Sequence, residues 1–406
     1  MRTVNLVSRS LLVLAVGATC VVGLCPAAEA ARRTSLAGNL LLEDADDVFP
    51  FPQLSTKYAR SVSFDYGEAK GSGNGLLLMG DTYQAWGIAL HRGDTTDPQG
   101  LSIDHDLVRL GDPSGNVNDG TFPTPLTIVD FLYASANPGD GSGWGLRISL
   151  GNGSQSQDPN GDPKESGADQ TYLALTAGYS AAGSDLAYDL AGSLVYSTGT
   201  QLANGKEVKS GTAIDLTVTG RGSMSLAGEK DTRLGLLGQL GVKDDTSSQT
   251  VDPKFDDVAR SIFLLAGAGP VVKVAQRIQL AAYGFIGATL NSADPNSEGD
   301  DDQTDIASYV LPGVNLATEV QLRDWLFFRT GGEYTFAIRT EDSGDNANAR
   351  KASDRQGTFG WNAGIGLVFE NITFDGALAH GFLTQGPDFI GGDSALFGMF
   401  SARAKF

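Results

Sequence analysis

Residues 184–197 read Ser184-Asp-Leu-Ala-Tyr-Asp-Leu-Ala-Gly-Ser-Leu-Val-Tyr-Ser197. Leu186, Tyr188, Leu190, Leu194 and Tyr196 fall on one face of an extended chain, and Asp185, Asp189, Ser193 and Ser197 on the other. A period of two with one dry and one wet face is that of a β-strand between apolar and aqueous surroundings. The pattern spreads in both directions. Trp144, Leu146, Ile148 and Leu150 alternate with Gly145, Arg147 and Ser149, and Ile214, Leu216 and Val218 with Asp215, Thr217 and Thr219. Phe328, Tyr334, Phe336 and Ile338 lie opposite Arg329, Glu333, Thr335 and Arg339. Trp361, Ile365, Leu367 and Phe369 share a face, as do Ile372, Phe374, Leu378 and Phe382.

A soluble β-sandwich would give the same local pattern, so the connections must arbitrate. From Trp144 onward they alternate short and long. Short ones fall near 180–184, 222–231, 275–277, Arg323-Asp324 and Glu370-Asn371. Long ones, rich in Gly, Asp, Asn, Ser and Lys, fall at 152–169, 198–210, 243–259, 291–307, 340–357 and 384–395. Tight turns at one rim and long polar connections at the other belong to membrane barrels, not to Greek-key sandwiches. The expected fold is therefore all-β, a transmembrane antiparallel up-and-down barrel of about sixteen strands. The strands are expected at 61–67, 74–79, 83–92, 125–135, 143–151, 170–179, 185–197, 211–221, 232–242, 260–274, 278–290, 308–322, 325–339, 358–369, 372–383 and 396–406. The first two are shorter than the roughly nine to eleven residues that a tilted crossing needs. If they are plug rather than wall, about fourteen strands remain. Tyr66, Tyr133, Trp144, Tyr179, Tyr196, Trp325, Phe359, Trp361 and Phe369 sit near strand ends, where interfacial girdles place amphipathic rings.

Ahead of the pattern lies a processing segment. Arg2 and Arg9 precede an uncharged apolar stretch, Leu11 to Leu24, and Ala28-Glu29-Ala30 fits the small-x-small cleavage rule. Residues 1–30 are read as a signal peptide cut after Ala30, and 31–60 as a periplasmic lead-in or a lumenal plug. Residues 61–406 are read as the barrel. Cys20 and Cys25 both lie in the signal. Thr19 and Leu24 precede them where a lipoprotein would carry small residues. The mature part, 31–406, keeps no cysteine, which removes disulfides, thiolate metal sites and cysteine nucleophiles. Setting aside Arg2, Arg9 and Glu29 leaves 27 basic and 47 acidic residues of the 29 and 48, a net charge of −20. Such a chain repels phosphates and is not a nucleic-acid binder.

At the C-terminus Leu396, Gly398, Phe400, Ala402, Ala404 and Phe406 alternate with Ser401, Arg403 and Lys405. This resembles the terminal β-signal of bacterial outer-membrane porins and related barrels. The resemblance implies insertion into outer-membrane lipid by the barrel-assembly machinery, with Phe400 and Phe406 at the recognition positions. It also makes a trimer one expectation, though no residue here specifies an oligomeric state. The segment from Leu42 through Val48-Phe49-Pro50-Phe51-Pro52 to Gln53, followed by short Gly-rich strands, is similar in layout to the long-chain fatty-acid transporter family. That likeness implies fourteen strands and an N-terminal hatch inside the lumen.

No catalytic constellation is legible, and an enzyme is not expected. His91 closes a strand beside Arg92, His105 stands between Asp104 and Asp106, and His380 follows an apolar face without a nearby serine. Glu298, Asp300, Asp301, Asp302 and Asp305 offer oxygen ligands for hard cations but read as a solvated loop. Asp158, Asn160 and Asp162 begin like an EF-hand, yet Pro163 replaces its glycine. No cofactor is implied. The wet strand faces carry Asp65, Arg147, Asp185, Asp189, Asp215, Arg233, Glu319, Arg323, Arg329, Glu333, Arg339, Asp375, Arg403 and Lys405. Arg or Lys facing lipid near the midplane costs about 2–4 kcal/mol each, so these charges are expected to face the lumen or a rim. Three functions follow. The first is a porin-like passive channel for small solutes, cation-preferring through the acidic excess. The second is a hatch-bearing transporter of hydrophobic compounds. The third is a structural or surface-interaction barrel without an open pore.

Overall fold

A computed structural model describes residues 31–406 except 68–72, 93–126, 138, 140, 157–165, 204–205, 227–230, 250–254, 298–303, 344–349 and 379–396. Sixteen antiparallel strands close into one barrel, each paired to its chain neighbours and β1 to β16. They are β1 Ser61–Gly67, β2 Gly73–Gly80, β3 Gln84–Arg92, β4 Thr127–Asn137, β5 Ser142–Ser156, β6 Ser166–Ala182, β7 Leu186–Ala203 and β8 Lys206–Ser225. Then follow β9 Thr232–Gln249, β10 Phe255–Ala275, β11 Ile278–Ser297, β12 Thr304–Arg323, β13 Leu326–Ser343, β14 Arg350–Phe369, β15 Ile372–Leu378 and β16 Phe397–Lys405. The short first strands are wall: β1 pairs with both β2 and β16. The sixteen-strand expectation stands, and the fourteen-strand alternative does not.

Closure leaves no sheet edge, the condition for a sheet in lipid. The dry faces point outward. Leu190, Leu194, Leu216, Leu240, Leu264, Ile286, Leu290 and Leu316 are all exposed, while their neighbours Ser193, Thr217, Gln239, Phe263 and Asn315 are buried inside. Rings mark both edges of this belt. Trp86 stands opposite Tyr133 and Trp144 opposite Tyr179, with Tyr133–Trp144 centroids 5.4 Å apart and Tyr179–Tyr188 centroids 6.3 Å apart. On the far side Tyr334 stands opposite Phe359. From Tyr188 to Tyr196 the chain rises about 27 Å along β7, which after tilt approaches the ~25 Å apolar band of such barrels.

One expectation is corrected. The stretches 198–210, 243–259, 291–307 and 340–357 are mostly strand rather than loop: β7 to β14 run 18 to 21 residues each. That is about twice what a crossing needs. Above the membrane both faces of a hairpin are wet, so the apolar alternation stops although the ladder continues. Charges sit there instead: Arg260 to Asp244 at 2.6 Å and Lys351 to Asp342 at 2.6 Å across strands, and Lys243 to Asp245 at 2.8 Å within β9. In β12 the register shifts between Val310 and Gly313, at Pro312, which has no N–H to give the ladder.

Candidate functional site: an N-terminal hatch in the lumen

Residues 31–58 lie among the inward-facing side chains of the wall. A five-residue helix, α1 (Ala31–Ser35), packs on β13 to β16. Leu40 packs on Leu237, Leu265, Tyr283, Phe285 and Val310 of β9 to β12. A 3₁₀ turn at Ala45–Val48 faces β8, and a second at Pro52–Thr56 packs on β3 to β6. Val48 and Phe49 meet Leu76, Leu78, Ala89 and Leu132 of β2 to β4. The segment thus meets nearly the whole circumference. Its wall partners Glu319, Arg329, Asp375, Ser401 and Arg221 lie near the strand ends joined by short turns, so the hatch sits at the short-turn end of the lumen.

Local sequence builds the hatch. Asp44 caps the first 3₁₀ turn and Asp47 answers it, each carboxylate bonding the other end of the turn, a capping box made with Asp at its third position. Pro52 opens the second turn, where its missing N–H costs nothing. The wall makes room with glycine. A Cβ at Gly331 would overlap the backbone of Leu36, one at Gly145 the backbone of Pro52 and Gln53, and one at Gly364 the side chain of Ser35.

Charges key the hatch to the wall. Asp47, with no solvent exposure, accepts from Arg33 through Oδ1, and through Oδ2 from Arg221 Nη1 at 2.7 Å and its own cap's Asp44 N at 2.9 Å. Arg221 also donates to Leu40 O at 3.0 Å and to Asp189 at 2.8 Å, and its guanidinium lies 4.9 Å from the Phe51 ring centre. A second chain runs from Asp44 through Arg32 (3.2 Å) to Glu319 (3.1 Å), then Arg329 (2.5 Å) and Asp375. Arg403 reaches Asp44 at 3.5 Å and lies over Tyr58. Burial alone would raise the Asp44 carboxyl, but Arg32, Arg33 and Arg403 outweigh it and hold it well below the usual carboxylate range. Asn39 Nδ2 donates to Asn315 Oδ1 at 2.8 Å, and Asn315 Nδ2 donates to Ala37 O at 2.8 Å and to Glu333 at 3.0 Å.

Of the wet-face charges singled out from the sequence, Asp189, Glu319, Arg329 and Arg403 meet the hatch or its partners, and Glu333 touches it through Asn315. Arg147 is buried and donates to Thr176 at 3.3 Å, while Asp215 accepts from Thr217 at 2.8 Å. Arg339 pairs with Glu341 at 3.3 Å and is two-fifths exposed. Asp185 and Arg323 take the rim alternative: both are exposed at strand ends beside short turns. Phe400 and Phe406 are exposed on β16 and just beyond it, and Phe400 stacks with Phe374 at 5.9 Å. Asp300, Asp301, Asp302, His105 and His380 lie outside the described residues, and Asp305 is exposed on β12. Among the described residues no group of three or more metal-ligating side chains converges. Sequence reasoning missed Arg32, Arg33, Asp44, Asp47 and Arg221. The capping spacing Asp44-x-x-Asp47 and the inward parity of Arg221 with Thr217 and Thr219 were the available signals.

An apolar exterior belt, a closed ladder and a polar, charged interior make this chain an outer-membrane β-barrel. No family model and no curated protein matches the sequence. Solved structures that match include the siderophore receptor PiuA from Acinetobacter baumannii, at 8% identity and TM-score 0.43, covering 72% of this chain and 53% of the receptor. CdiB from Escherichia coli matches at 12% identity and TM-score 0.38, covering 85% and 62%. The translocator domain of the autotransporter NalP from Neisseria meningitidis matches at 13% and 0.32, covering 66% and 88%. The chain spans about half the length of the first of these. At such values the likeness carries no functional assignment.

Proposed function

We propose that the protein is a hatch-gated outer-membrane transporter rather than an open channel. The observation that carries this reading is Asp47, fully buried and held between Arg33 of the hatch and Arg221 of the wall. An ion pair that joins a short lumenal segment to the wall is a latch, and a passive pore has no use for one. Truncating one partner of such a buried pair costs about 3–5 kcal/mol, so the closed state is specified and not incidental.

The lumen wall beyond the hatch supports a mainly hydrophobic cargo carrying polar groups. Phe263 of β10 and Ile306 of β12 face inward, next to Phe285 and Val310, which already pack on Leu40 of the hatch. Beside them Thr289, Asn291 and Ser308 are buried, with side-chain atoms that find no hydrogen-bond partner among the described residues. An apolar wall with a few convergent polar groups is the usual make-up of a small-molecule site. Cells expressing the protein should accumulate hydrophobic probes bearing a hydroxyl or amide faster than barrel-free cells. Phe263→Ala should reduce the gain, with gel mobility checking that the variant barrel assembles. Equal acceleration of small hydrophilic solutes in the unmodified protein would contradict the reading and favour the porin-like alternative.

A further inference from the structure

Asp65 on β1, Ser401 on β16 and Asp375 on β15 form one row across the inner wall, Asp65 in register with Ser401 and Ser401 with Asp375. All three are buried. The backbone nitrogen of Ala31 lies 2.7 Å from Ser401 Oγ, and Ser401 bonds on to Asp65. Ala31 itself has no solvent exposure.

The charges around this row are uneven in one place. Five arginines, Arg32, Arg33, Arg221, Arg329 and Arg403, pair with five carboxylates, Asp44, Asp47, Asp189, Glu319 and Asp375. Asp65 is a further buried carboxylate. Among the described residues no arginine or lysine comes within ion-pair distance of it, although Asp44, Asp46 and Arg403 are close enough to act on it through space. A buried carboxylate without a counter-charge is costly.

We propose that the row Asp65–Ser401–Asp375 is a binding pocket for the α-ammonium group created when the signal peptide is cut after Ala30, so that processing itself locks the hatch. The inference rests on the hatch reading and adds to it the event that fastens the hatch. A signal peptidase hydrolyses the Ala30–Ala31 peptide bond: one water is consumed, Ala30 gains a carboxylate and Ala31 an amine that takes up a proton near neutral pH. Before the cut the Ala31 nitrogen is a neutral amide that offers Ser401 a hydrogen bond alone. Afterwards it carries a full positive charge and further N–H donors beside Ser401, with Asp65 and Asp375 on the strands to either side. The leftover carboxylate then has its partner.

The test compares refolded protein beginning at Ala31 with the same chain carrying one glycine ahead of it, which moves the ammonium by about 3.5 Å, and with Asp65→Asn. Heat-dependent gel mobility reports barrel folding in each. Two quantities are read: acylation of the α-amine near neutral pH relative to a urea-unfolded control, and conductance in planar bilayers. The expected results are labelling at least about tenfold slower in the folded native chain, a pKa rise of one unit or more. Asp65→Asn should restore labelling, and the glycine-extended chain should conduct where the native chain is silent. Labelling of folded protein at the unfolded rate would overturn the pocket, as would an extended chain as silent as the native one. A mature N-terminus other than Ala31 in protein from cells would overturn it too. Should Asp65→Asn not fold, the glycine extension decides alone, since it leaves every side chain in place. A native chain that conducts refutes the hatch reading; a native chain that is silent and indifferent to its N-terminus refutes only the pocket.

Discussion

Asp47 Oδ2 lies 2.7 Å from Arg221 Nη1, across the boundary between the N-terminal segment and strand β8. Neither side chain has water to fall back on: Asp47 is fully buried and the Arg221 side chain is 7% exposed. The N-terminal segment is therefore held to the wall by a contact whose two halves need each other.

Asp47→Ala should leave Arg33 without its ion-pair partner and Arg221 with Asp189 alone. The expected cost to hatch docking is about 3–5 kcal/mol, with the barrel itself unaffected. Limited proteolysis of protein in vesicles should cut between residues 31 and 60 in the variant and spare them in the native protein. Equal protection in both would mean that the ion pair contributes nothing to closure.

Gly331→Val should expel the hatch by a different route. Its Cβ would enter the space held by the Leu36 backbone, which cannot step aside as a flexible side chain could. Overpacking of this kind costs about 1–3 kcal/mol. Gly360→Ala, whose new Cβ meets nothing within 4 Å, is the matched control and should behave as native. Bilayer conductance distinguishes the two.

Acid should loosen the hatch, and the direction follows from Asp44. Its carboxyl is held below the usual range in the folded state, so in the released state it binds a proton more readily. The stabilisation is complete above the ordinary Asp value of about 3.9 and is lost as pH falls from there through the depressed folded value. Conductance or proteolysis followed from neutrality downward should stay flat until about pH 4 and rise only below it. Asp44→Asn should open more at neutral pH and lose that acid step. A native transition centred near neutrality would show that some other group holds the latch.

Leu264 lies on the outward face in the middle of β10 and is half exposed. Leu264→Arg should destabilise the membrane-inserted barrel by about 2–4 kcal/mol. Urea unfolding in lipid vesicles measures this, and an unchanged midpoint would argue that β10 does not face lipid there.

Much of the wall was legible in the sequence because lipid imposes a rule on every second residue. Leu186, Tyr188 and Leu190 announce β7 since no polar side chain is tolerated at those places. The rule ends where the membrane does, so Asp244, Asp245 and Val258 read as loop although they continue β9 and β10. The hatch obeys no period. Asp44, Asp46 and Asp47 resemble a solvated acidic run, and only the positions of Arg221, Arg32 and Arg403 in space turn two of them into latch residues. Such pairings join residues 174 and 359 positions apart, which composition and spacing do not encode. Asp189, Glu319 and Arg329 could be placed on the wet face from the sequence, but the segment they hold could not.

The most direct measurement of the central claim is single-channel conductance of refolded residues 31–406 in a planar bilayer, native beside Asp47→Ala, with folding checked by gel mobility. Silence is expected from the native protein and steady ohmic steps from the variant. Steady ohmic steps from the native protein, unchanged by the substitution, would contradict the claim.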